Sequence, residues 1–220
     1  MTAPSASSRI IKTTYLTFTA LIAAWLGAWL LKVRLEESIT WLAVGAGSFL
    51  YWTAAKILIW IVPAVWLIQR SGRTIHEVLG LSRWKSWLAW GGGIGLAIAL
   101  TGIIPNYLAG NRILPDQISF PLLNMLVIAP LFEEFLLRGA IQGNLERAYP
   151  FWTANLITSV MFLILHVPGW FFMGVLWENF ANPFGGALSI FLVSLGFGYA
   201  AHRSRSVLGG VVAHFLNNLF

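Results

Sequence analysis

The sequence predicts an all-α fold, a polytopic transmembrane helix bundle of about seven or eight helices, and three observations predict it. Hydrophobic residues make up 58% of the 220 and charged residues only 10%, whereas an ordinary soluble domain is about 45–50% apolar and about 25% charged. Twelve Trp and a mean hydropathy of +0.75 fit a bilayer protein whose interfacial rings sit among the headgroups. Apolar runs recur along the whole chain at the length of a helical span, about 20 residues, and seven of them take up roughly 140 residues. Only short loops remain, so a single integral-membrane domain over residues 1–220 is expected, with a motif-bearing core at about 120–220.

From the N-terminus, Met1 to Thr14 is rich in Ser and Thr and carries Arg9 and Lys12 ahead of an apolar run from Tyr15 to Leu31. That run is long for a signal peptide and shows no small-residue cleavage site before Lys32 and Arg34, so it reads as the first span. The second span, about Phe49 to Ile68, contains Lys56 and Pro63. A cation inside a span is a functional candidate; the plainer reading is a stem that snorkels or an ammonium that meets a carboxylate. Arg70 to Lys85 forms a polar connector. In the third span, Trp87 to Leu108, Gly91, Gly92, Gly93 and Gly95 permit close helix contact, and Asn111 to Ser119 makes the next turn. The fourth span runs from near Phe120 to about Leu145, and the fifth, Phe151 to His166, ends at Val167-Pro168-Gly169. Trp170 to Phe184 reads as an aromatic loop at the interface, about Gly186 to Ala201 as the sixth span and about Val207 to Leu219 as a short seventh.

Charge and cysteine content narrow the function. The net charge of +6 acts in such a chain as an orientation signal. With the N-terminus cytoplasmic, Arg9, Lys12, Arg70, Arg73, Arg83, Lys85, Arg147, Arg203 and Arg205 fall inside, against Lys32, Arg34 and Arg112 outside. The bias suits a bacterial inner membrane. So few charges exclude a soluble enzyme, a disordered tail and a nucleic-acid partner. Absence of Cys excludes a thiolate nucleophile, an Fe–S cluster and Cys-ligated zinc.

Charged side chains inside a span cost about 2.5–3.5 kcal/mol each on insertion scales, so they persist mainly where they pair or act. The fourth span holds three within six residues. Glu134 and Arg138 stand four apart, on one face, and can pair. Glu133 points roughly 100° away and lacks such a partner, the condition of a carboxylate free to act as general base near neutral pH. Phe162 with His166, and His214 with Asn218, repeat the spacing of four. If the fourth and fifth spans turn at Tyr149-Pro150, Glu133 and His166 both lie about 24 Å from that turn. His214 and Asn218 lie roughly 15 and 21 Å beyond the Arg203 to Arg205 turn. A carboxylate, two imidazoles and an amide can therefore share one layer of the bilayer.

Each residue also has a plainer role. A buried His is usually a satisfied core group, a Glu–Arg pair can be a structural clamp, and Asn218 beside Asn217 can face headgroups; the joint spacing and depth favour a site. His76 and His202 sit in or beside loops and read as solvated. Other membrane proteases fit less well: His76-Glu77 lacks the second zinc-binding His, because position 80 is Gly80. Asp116 is the only Asp, and Ser159 and Ser194 have no distinguishing context.

The strings Glu133-Glu134-Phe135-Leu136-Leu137-Arg138-Gly139, Phe162-Leu163-Ile164-Leu165-His166 and His214-Phe215-Leu216-Asn217-Asn218 resemble the three ordered motifs of the CPBP family, the CAAX protease and bacteriocin-processing (Abi-like) membrane proteins. The resemblance covers Ile128 to Phe220, with a weaker echo at Leu79-Gly80-Leu81 and a departure at Leu137, where many members carry an aromatic. It implies a glutamate-type intramembrane endopeptidase acting on a membrane-associated protein or peptide within the lipid bilayer. By that resemblance, Glu133 and His166 activate a water and His214 and Asn218 hold the oxyanion, with Glu134, Arg138 and Phe162 in support. No cofactor is called for. A zinc variant with the two His and one Glu is the mechanistic alternative, and a non-enzymatic immunity or scaffold protein of the same fold is the functional one.

Overall fold

The computed structural model describes residues 6–220, with side chains from Ser8 onward. The elements are α1 (Ala6–Ser38), α2 (Gly45–Arg70), α3 (Ile75–Leu79), α4 (Trp84–Leu108), α5 (Phe120–Leu145), α6 (Phe151–Phe172), α7 (Leu176–Ala181), α8 (Ala187–Ser204) and α9 (Val207–Leu219). Among the described residues there is no strand, and the all-α bundle is as expected. Five segments, those holding α1, α2, α4, α5 and α6, are long and apolar enough to cross a membrane. The chain is an integral membrane protein. Its outer faces are correspondingly apolar: Leu88, Leu96, Leu100 and Ile104 form an exposed stripe along α4, favourable only where the surrounding solvent is lipid. The shorter α8 and α9 pack against α4, and against α6 and α5 respectively.

Several boundaries differ from expectation. Of the polar stretch Met1 to Thr14, residues 1–5 lie outside the described residues, and the remainder already belongs to α1, where buried Thr14 returns its hydroxyl to the Ile10 carbonyl at 2.8 Å. Lys32 is not in a loop but inside α1, buried, pairing with Glu36 and donating to the Leu42 carbonyl at 2.7 Å. α6 continues through Pro168 to Phe172. Proline costs the helix one hydrogen bond, and the turn beyond it is held by stacking of Phe172 on Trp29, centroids 6.0 Å apart. The expected aromatic loop thus contains the end of α6 and all of α7.

α2 and α5 survive their internal prolines by widening. Ile57–Ile61 in α2 and Asn124–Ile128 in α5 are π-helical. A proline ring collides with the carbonyl four residues earlier; for Pro63 and Pro130 these carbonyls belong to Ile59 and Leu126, both inside the wide turns. A third π segment, Phe135–Gln142, comes directly after Glu134. Such turns often mark functional sites, and here they flank the charged residues of both helices.

Close packing of α4 on α9 uses two of the four clustered glycines. A Cβ on Gly91 would lie 2.5 Å from the Gly209 carbonyl oxygen, and one on Gly95 would lie 2.9 Å from the Ala213 Cα. Gly92 and Gly93 face open space.

Candidate active site

The site is built outward from the middle of α5. The i,i+4 geometry brings Arg138 Nε to Glu134 Oε2 at 3.0 Å, both side chains being essentially inaccessible. Arg138 also donates to the hydroxyl and carbonyl oxygens of Ser194 on α8 at 2.6 and 2.9 Å. Its charge is thus dispersed over α5 and α8, and Glu134 is held as a carboxylate acceptor. The other oxygen of Glu134 meets His214 Nδ1 of α9 at 3.2 Å. Gly210, one turn before His214, makes this approach possible, since a Cβ there would stand 2.7 Å from Glu134 Oε2.

His166 takes its orientation from its own helix. Its Nδ1 lies 2.8 Å from the Phe162 carbonyl oxygen; a carbonyl only accepts, so Nδ1 carries the proton and Nε2 is left as an acceptor. The Phe162 ring sits 4.9 Å from His166 and 5.7 Å from His214, and Phe197 stacks on His214 at 4.6 Å. Asn218 donates through Nδ2 to the Met125 carbonyl at 2.8 Å, inside the first π turn of α5, leaving its second amide hydrogen available.

Glu133, His166, His214 and Asn218 all line one cavity of about 300 Å³, together with Phe162, Phe197, Asn217, Asn124 and Lys56. Glu133 and His166 are thus brought together, and Glu134 and Arg138 stand immediately behind them. Glu133 is buried yet takes no hydrogen bond from any described residue. A second cavity of about 240 Å³ shares Lys56, Asn124, Glu133 and His166 and is walled by Trp25, Trp29, Trp52, Trp60 and Trp170.

Some functional neighbours are not apparent from the sequence. Lys56 is buried against this cavity instead of snorkelling, its Nζ 3.3 Å from Asn124 Oδ1 and 5.1 Å from the Trp60 ring centre. Ser194, which has no distinguishing sequence context, is the receptor for Arg138. His202 is exposed, as expected, and from there its Nδ1 meets Glu146 Oε2 at 3.3 Å and its ring stacks on Phe151. Glu77, beside His76, is committed to capping α3 reciprocally with Thr74. Behind α5, Arg73 donates to the Gly139 and Ala140 carbonyls at 2.9 and 3.1 Å. Burial, and then the neighbouring Arg147, lower its guanidinium to about 10, so it remains charged at neutral pH.

Among the described residues no three His, Cys, Asp or Glu side chains gather closely enough to hold a metal ion. His214 is turned onto Glu134, and the two His and one Glu of the zinc alternative do not converge on one point.

The fold and the site together define an integral membrane helical bundle with a polar, partly unpaired cavity sunk between its helices. Residues 115–220, just under half of the chain, match the family described as Rce1-like, type II CAAX prenyl endopeptidase Rce1-like, and the match supports the expected likeness to the CAAX proteases. The family points to CAAX-type intramembrane proteolysis of a membrane-associated substrate. Over 215 residues the chain is 27% identical to an "Uncharacterized 24.3 kDa protein" of Escherichia coli, with 91% of this chain and 92% of that one covered. No solved structure matches it.

Proposed function

We propose that the chain is one integral-membrane domain of a bacterial inner membrane, N-terminus cytoplasmic, that hydrolyses a peptide bond of a membrane-associated protein with a water activated by Glu133 and His166. The observation that carries this reading is the shared cavity: an unpaired buried carboxylate and a free imidazole Nε2 face the same space as His214 and Asn218.

In the reaction Glu133 accepts a proton from the water, whose oxygen bonds to the scissile carbonyl carbon while the carbonyl electrons move onto oxygen. His166 Nε2 accepts the second water hydrogen bond and fixes the direction of attack. The oxyanion lies against the second Asn218 amide hydrogen and His214 Nε2. His214 donates from Nε2 while Nδ1 donates to Glu134 only as the doubly protonated ring, for which Glu134 is the counter-charge. Collapse breaks the C–N bond, and Glu133 returns the proton to the departing amine. An oxyanion donor of this kind contributes about 3–4 kcal/mol.

Comparative proteomics of membranes holding the wild type or Glu133→Gln tests the reading. The expected result is a membrane peptide with a new terminus in the wild type alone, its uncut parent accumulating with the variant, which stays folded and inserted. Cleavage by purified Glu133→Gln would refute the base assignment. An intact phenotype in Glu133→Gln and His166→Ala would favour the immunity or scaffold alternative.

A further inference from the structure

We propose that Lys56 is the counter-charge of Glu133, a positioning residue that faces the negative charge as it moves from the carboxylate to the oxyanion. Lys56 lies near the middle of the 26-residue α2 and Glu133 near the middle of the 26-residue α5, where lone charges are most costly. Both are at least nine-tenths buried. They line the same two adjoining cavities, where an ammonium and a carboxylate attract one another.

The surroundings leave each dependent on the other. The charged and titratable groups facing Glu133 are Lys56 from α2, Glu134 and Arg138 from its own helix, His166 from α6 and His214 from α9. Arg138 is spent on Glu134 and Ser194, and His166 Nδ1 is spent on Phe162. Lys56 has one hydrogen bond, to Asn124, and an ammonium offers three donors. The inference rests on the peptidase reading for its catalytic part. When Glu133 takes the proton it becomes neutral, and the unit of negative charge passes to the carbonyl oxygen. Lys56 compensates that charge in both states without having to move, as preorganised stabilisation requires.

A double-mutant cycle tests the pairing without any substrate. Lys56→Met and Glu133→Gln should each lower the melting temperature of the detergent-solubilised protein. The double variant should melt at or above the less affected single one, because both charges have gone together. Lys56→Gln repeats the cycle should the methionine variant fail to insert. With the peptide found by the proteomic comparison, Lys56→Met should lose kcat about tenfold or more with KM little changed, and Lys56→Arg should recover most of it. Additive melting losses, or wild-type kcat in Lys56→Met, would overturn the inference. Coupled melting in a protein that cleaves no peptide would sink the hydrolase reading alone and leave the charge pair standing.

Discussion

At the scale of single residues, the site divides its charges between support and chemistry. Glu134 has Arg138 on one oxygen and His214 on the other, whereas Glu133 takes no hydrogen bond from any described residue. The division predicts different failures. Arg138→Met removes one of the two partners of the buried Glu134 carboxylate, so stability should fall by about 3 kcal/mol, measured as a lower melting temperature in detergent. Glu133→Gln, by contrast, should leave a folded protein without turnover. The i,i+4 pairing of Glu134 with Arg138, and that of Phe162 with His166, were legible in the sequence because both lie within a single helix. Ser194, Phe197 and Asn124 were not, since nothing local distinguishes a serine 56 positions away that ends up on Arg138.

At the scale of elements, π turns and glycine contacts decide where side chains point. Each π turn adds backbone to one rung of a helix and rotates the residues beyond it. α5 carries two of them on either side of Glu133 and Glu134, so ideal helical angles alone do not set their direction. Pro63 and Pro130 follow the π turns at Ile57–Ile61 and Asn124–Ile128; Phe135–Gln142 has no such marker. The α4–α9 seam carries His214 and Asn218 to their depth, and it offers an internal control. Gly91→Ala presses a methyl on the Gly209 carbonyl and should destabilise by about 1–3 kcal/mol. Gly92→Ala, on the open side, should leave the melting temperature unchanged within error.

At the scale of the molecule, orientation is set by basic residues in short loops. Because the chain has no Cys, single introduced cysteines report it directly. Asn111→Cys should react with a membrane-impermeant maleimide on intact cells, while Ala148→Cys, exposed at the opposite end between α5 and α6, should react only after lysis. The reverse pattern would invert the proposed topology. The aromatic wall of Trp25, Trp29, Trp52 and Trp60 comes from α1 and α2, outside the region 115–220 that matches the family. The N-terminal half therefore shapes the cavity that the motif-bearing half equips.

Fold class and the approximate spans were determined by the sequence alone, because composition and run length are local quantities. The last span, read as about Val207 to Leu219, is the helix Val207–Leu219. Tertiary structure alone decided which way each helix faces. In water, an apolar stripe marks the inner side of a helix; in lipid, inner and outer sides are both apolar, so the pattern loses its directional information. Whether Lys56 faced headgroups or the cavity it shares with Glu133, and which of four glycines touched α9, depended on that rotation and on the packing that sets it.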